Sequence, residues 1–198
     1  MRLRDIADLR HLEIRGSGHK FGGYTRSYLA DIAVHAMPTH IIWIAYSLSN
    51  LVAGLLLWAA WKKPALARTL FFLLFAWASW FNTTTALHRP EIYTGYAPFA
   101  FLDAYRRFIL GFFAQHTAPL VLGIAAGQAG IALGMLAKGR LYRLGCAGGI
   151  VFLLCIAPLG LGSAFPCTAL MAAGMWLLYR EGSGKWLWQA FITRTSPN

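Results

Sequence analysis

Three of the six histidines in the chain stand at the edges of long apolar runs. His40 precedes the first run, His88 follows the second and His116 precedes the third. Imidazole nitrogens at one membrane depth can ligate a haem iron or a chlorophyll magnesium, and with carboxylates they bind transition metals. Glu91, Tyr93, Tyr96, Asp103 and Arg106 follow in the same stretch of sequence. The spacing matches no metal motif, so no metal ligands are assigned. A quinone, a haem or a chlorophyll-type pigment near His40, His88 and His116 is the cofactor chemistry these side chains offer. The plainer role is hydrogen bonding at helix ends. The segment HRPEIYTGYAP at 88–98 is the densest polar patch. Its prolines and Gly95 predict a non-helical path, and its tyrosines suit a headgroup layer where a quinone ring or a lipid would sit.

Other chemistry is sparse. Cys146 and Cys155 are nine residues apart, on opposite faces of a helix at about 100° per residue. With Cys167 they read as buried, inert thiols. The sequence carries no phosphate-binding glycine loop, no H-E-x-x-H and no nucleophile elbow. No catalytic residue is assigned, and the chain reads as non-catalytic.

What must position these residues follows from composition. Of 198 residues, 58% are apolar and 13% charged, about half the charged share of an ordinary soluble domain. That excludes a disordered chain and an ordinary soluble domain. Three scattered cysteines exclude a disulfide framework. The net charge is +11, but the basic residues are spread over every loop, so anionic lipid is the expected partner and nucleic acid is not.

A spanning helix needs about 20 mostly apolar residues, because a hydrocarbon core ~30 Å thick is crossed at ~1.5 Å per residue. The uncharged runs predict an all-α integral membrane protein of about five transmembrane helices, at 41–61, 67–87, 117–137, 144–160 and 165–180. The last two come from one overlong run divided at GLGSAFP, 160–166, a turn signal. Residues 98–113 read as an interfacial helix with an Asp103–Arg107 pair at i,i+4. Residues 1–38 read as an amphipathic, interfacial segment ended by Pro38, and 181–198 as an interfacial tail anchored by the tryptophans of KWLWQAF. The 18 Lys and Arg divide nine and nine between the two sides of a five-span bundle. Short loops carry the positive-inside signal most reliably, which puts the 62–68 and 138–143 loops and the C-terminus in the cytoplasm.

Helices in lipid gain little from hydrophobic burial against one another and rely on close approach. Gly123, Gly127, Gly130 and Gly134 form a continuous small-residue face on the third span, fit for packing within the chain or against another subunit. Asn50 and Gln128 lie nearest mid-membrane and are expected to bond neighbouring helices. No Asp, Glu, Lys or Arg is placed deep in a span, which disfavours pumps, ion channels and carriers of charged substrates.

HRPEIYTGYAPFAFLDAYRRF, the glycine-rich span ending GMLAKGRLYRLG, and FLLCIAPLGLGSAFPCTALMAAGMWLL together resemble the DoxX-like family of small bacterial membrane proteins. The resemblance covers about 66–180. It implies a four-helix bundle with an outward first loop, here preceded by one added N-terminal helix, in a bacterial inner membrane. Members include subunits of thiosulfate:quinone oxidoreductase and proteins that accompany redox-stress systems. The family supplies no catalytic motif to carry over. The sequence therefore predicts a non-catalytic integral subunit of a larger membrane complex of respiratory or photosynthetic electron transfer, with other membrane subunits as partners. The alternatives are a membrane redox component holding quinone, haem or pigment at the three histidines, and a small-molecule carrier.

Overall fold

The computed structural model describes residues 39–189, and these are all-helical. The interfacial helices expected within 1–38, and the tail beyond 189, lie outside the described residues. Helix α1 is Thr39–Lys62 and α2 is Pro64–His88. A 3-10 segment, Pro90–Phe99, leads to the short helix α3, Asp103–Phe108, which runs into a π turn, Ile109–Phe113. Then come α4, Thr117–Leu136, and α5, Gly139–Ile156. A second 3-10 segment, Ala157–Ser163, precedes α6, Cys167–Glu181.

The boundaries have local causes. Lys63 precedes a proline, is disfavoured in the α region and sits at φ −143°, ψ 67°, so α1 ends there. Pro64 then opens α2, a position where its missing N–H costs nothing. Pro119 falls in the first turn of α4 for the same reason. Helix α5 starts five residues ahead of the apolar run, because Arg140 and Arg143 are good helix formers that a hydropathy reading leaves out.

Among the described residues, four helical stretches are long and apolar enough to cross a membrane: His40–Lys62, Pro64–His88, Thr117–Leu136 and Gly139–Ser163. Helix α6 has 15 residues, or ~22 Å at 1.5 Å per residue, less than a ~30 Å core. Five helices nevertheless form the bundle. They pack in the order α1, α2, α4, α5, α6 and back to α1, a closed ring. Each places three buried residues in the shared core: Leu56, Ala59 and Ala60; Ala67, Phe71 and Phe75; Ile131, Ala132 and Met135; Tyr142, Cys146 and Leu153; Ala172, Met175 and Leu178. Large apolar side chains such as Ile44, Leu73, Trp80, Leu133 and Val151 stay exposed on the outside, as a lipid-facing surface requires.

The glycine stripe of α4 divides. A Cβ on Gly134 would lie 2.6 Å from the Gly145 Cα, so α4 and α5 cross backbone to backbone there. Gly123, Gly127 and Gly130 have nothing within 4 Å on that side. The reason is that α4 turns Val121, Ala125, Gln128, Ala132 and Met135 to the core, leaving the upper glycines on the outer face.

The stretch expected as one interfacial helix at 98–113 is broken. Ala100 and Leu102 are extended, and α3 with its π turn follows. Nor is Pro90–Phe99 non-helical, as its prolines predicted; it forms 3-10 turns, which proline tolerates in the first turn and at termini. Asp103 and Arg107 do not pair. The ion pair found among the described residues is Arg89–Glu91, at 4.0 Å between exposed side chains. The expected 160–166 turn is built around Gly160, at φ 63°, where a Cβ would meet the Phe99 carbonyl oxygen at 2.5 Å. Phe101 N–H donates to the Pro158 carbonyl at 3.0 Å, tying the two 3-10 segments together.

Candidate functional site

Helix order puts the starts of α1, α4 and α6 and the end of α2 at one end of the ring, here the histidine end. His40, His88 and His116 are all exposed there. His88 Nδ1 lies 2.8 Å from the Thr84 carbonyl, and His116 Nδ1 lies 3.0 Å from the Phe112 carbonyl. A carbonyl only accepts, so Nδ1 carries the hydrogen in both. The His116 ring also stacks on Phe112, centroids 4.6 Å apart. His88 and His116 are each held by their own segment. Among the described residues, no three His, Cys, Asp or Glu side chains gather as a metal site would require.

Behind the histidines runs a short polar ladder. Tyr93 donates to Asn82 Oδ1 at 2.8 Å, and Asn82 Nδ2 donates to Gln128 Oε1 at 2.8 Å. Ser79 donates to the Ala125 carbonyl at 2.8 Å. The ladder joins the Pro90–Phe99 segment to α2 and α4. Asn50 bonds its own helix and a loop rather than a neighbouring helix: its Nδ2 donates to the Tyr46 carbonyl at 3.0 Å and to the Ala164 carbonyl at 3.2 Å, beside Tyr46 donating to Phe165. Burial pushes the Tyr96 phenol above its usual pKa. Of the cysteines, Cys146 and Cys167 are buried, but Cys155 is exposed, against expectation, because it falls on the outer face of α5 near its end.

The opposite end holds a residue that hydropathy alone had assigned to a loop. Arg68 is 3% exposed, one turn into α2. Its Nε and Nη2 donate to the Met135 carbonyl at 3.2 and 2.9 Å, and Nη2 donates to the Ala137 carbonyl at 2.8 Å. Its Nη1 donates to Ser183 Oγ at 2.6 Å and the Lys185 carbonyl at 3.3 Å. The guanidinium lies 4.5 Å from the Tyr142 ring centroid. A helix leaves its last four carbonyls without internal partners. At the end of α4 the Gly134 carbonyl accepts from Ala137 N–H, the Met135 carbonyl and that of the following Ala137 accept from Arg68, and the Leu136 carbonyl accepts from Leu187 N–H. Arg68 also places positive charge on the negative end of the α4 dipole. Arg68 is thus a charge buried at the end of the bundle, not deep in a span. The legible signal was spacing, since Arg68 shares a helical face with Phe71 and Phe75.

Beside Arg68 opens a surface cleft of about 390 Å³ lined by Gly139, Arg140, Arg143, Glu181, Gly182, Ser183 and Gly184. Gly139 N–H donates to the Ser183 carbonyl at 2.7 Å, which fixes the turn after α6 against the start of α5. Burial raises the Glu181 carboxyl above its ordinary pKa, and Arg68 opposes that rise. Among the described residues this end carries eight Lys and Arg against Glu181, whereas the histidine end carries three against Glu91 and Asp103. Lys62, Lys63 and Lys138 lie over the rings of Trp61, Trp58 and Trp186. Comparison with family models, with curated proteins and with solved structures found no match.

Proposed function

We propose that the chain is a non-catalytic integral membrane subunit that docks onto other membrane proteins of a larger complex. The observation that carries this reading is the outer face of α4. Gly123, Gly127 and Gly130 leave a smooth groove with no neighbour within 4 Å. Small residues at this spacing are what let another helix approach closely in lipid. The DoxX-like resemblance, with α2, α4, α5 and α6 as the four-helix core and α1 added, is what points to an electron-transfer complex. In this proposal α6 is a fifth crossing, supported by its place between α5 and α1 in the ring. The concentration of basic residues at the Arg68 end supports a cytoplasmic placement of that end and of the C-terminus.

The test is purification from native membrane in mild detergent, with mass spectrometry of retained proteins and an absorption spectrum. Stoichiometric partners that are lost on Gly127→Leu, while the chain itself still accumulates, are expected. A chain that purifies alone and is indifferent to Gly127→Leu would end this reading. A second reading, a redox component holding quinone, haem or pigment, is favoured by the exposed rings of His88 and His116, each held through Nδ1. It requires a chromophore or quinone on the isolated chain that His88→Ala or His116→Ala removes.

A further inference from the structure

Arg140 and Arg143 lie one helical turn apart on α5, both exposed and both lining the cleft. Among the described residues neither makes a hydrogen bond or an ion pair, although Glu181 lines the same cleft. The opposing wall is the turn Gly182, Ser183, Gly184, which comes close to the end of the Arg143 side chain. Gly182 has φ 68°, a conformation open to glycine, and a Cβ there would lie 3.3 Å from Arg143 Nη2. The turn is anchored from behind, because Ser183 accepts from both the buried Arg68 and the Gly139 N–H. Two unpaired guanidinium groups thus face one carboxylate across a fixed opening. The cleft lies at the end that carries Trp58, Trp61, Trp186 and Trp188, side chains that settle at headgroup level.

We infer that this cleft binds the headgroup of a phospholipid, with the phosphate on Arg140 and Arg143 and an ammonium group on Glu181. Guanidinium is the side chain best matched to phosphate, through paired N–H donors. A phosphoethanolamine headgroup supplies both the anion and the cation that this set of charges calls for. A glycerol headgroup supplies only the anion and leaves Glu181 facing it. The inference rests on the reading that the bundle spans a membrane, and the two are tested by different measurements.

Membrane integration is read from resistance to alkaline carbonate extraction. The cleft is read by native mass spectrometry of the full chain in detergent, titrated with phosphatidylethanolamine, phosphatidylglycerol or phosphatidylcholine of matched acyl chains. One phosphatidylethanolamine should remain bound. Arg140→Gln with Arg143→Gln should weaken it ~10-fold or more, the scale for losing charge-assisted hydrogen bonds. Glu181→Gln should abolish the preference for ethanolamine over glycerol while keeping lipid bound. Arg180→Gln, outside the cleft, should change neither. Equal lipid retention in the double arginine variant and the wild type would overturn the inference, as would displacement of every lipid by millimolar inorganic phosphate. The latter result would assign the cleft to free phosphate instead.

Discussion

Replacing Arg68 with Met should cost the bundle about 3 kcal/mol. The guanidinium serves four acceptors, the Met135, Ala137 and Lys185 carbonyls and Ser183 Oγ. In the variant, Ser183 Oγ still donates to the Lys185 carbonyl at 2.8 Å, so that carbonyl keeps a partner. The Met135 and Ala137 carbonyls do not. A buried carbonyl left without a donor costs ~1–3 kcal/mol, giving roughly 2–6 for the pair, to which the lost dipole interaction adds ~0.5–1. Removing a buried charge returns part of this, because its desolvation is relieved. Buried ion pairs are sometimes replaced by apolar groups at no cost, but only when both partners go; here the carbonyls stay. Arg68→Lys keeps the charge but loses the planar fork, and should recover about half the loss. The assay is equilibrium unfolding in mixed micelles of mild detergent and dodecyl sulfate, followed by tryptophan fluorescence and circular dichroism. If Arg68→Met unfolds at the wild-type dodecyl sulfate fraction, water reaches the end of α4 and the guanidinium is not its cap.

Gly134→Ala should destabilise by about 1–3 kcal/mol, because its Cβ would meet the Gly145 backbone, whereas Gly127→Ala should leave the isolated chain unchanged. The same unfolding assay separates them. Tyr93→Phe should lower stability by about 1 kcal/mol by leaving Asn82 Oδ1 without its donor, and circular dichroism on heating will show it. In detergent, a maleimide should label Cys155 alone among the three cysteines, with Cys146 and Cys167 reacting only after denaturation; protein mass reads the count.

Helix existence was legible because apolar runs near 20 residues have one economical solution in lipid, with every backbone group satisfied inside the helix. Helix starts were less legible. Residues 139–143 are helical although charged, and hydropathy reads solvation rather than backbone conformation. The α4 stripe shows the same divide. Spacing revealed that Gly123, Gly127, Gly130 and Gly134 share a face, but which part of that face meets α5 depends on the crossing point of two helices. Arg68 was misplaced because hydropathy treats arginine as a surface charge, while its role depends on carbonyls 67 and 69 residues away. The loop chemistry at 90–113 was hardest to read, since the order of 3-10, extended, α and π turns is set by what the bundle end requires. His88 and His116 were placed at helix ends correctly, yet their hydrogen bonds to Thr84 and Phe112 depend on ring orientation, which no spacing encodes.

The closed ring has a consequence for biogenesis. Among the described helices, α1 is made well before its neighbour α6: Tyr46 bonds Phe165 across 119 residues, and Asn50 bonds Ala164 across 114. At ~5–20 residues per second, the ribosome takes roughly ten seconds to deliver α6 after α1. Through that interval the polar edge of α1, with Tyr46 and Asn50 still without their loop partners, must be sheltered by lipid or by the insertion machinery. Truncation before Ala164 would strand the bundle in that open state, so the loop and helix at 164–181 decide whether α1 is ever fully enclosed.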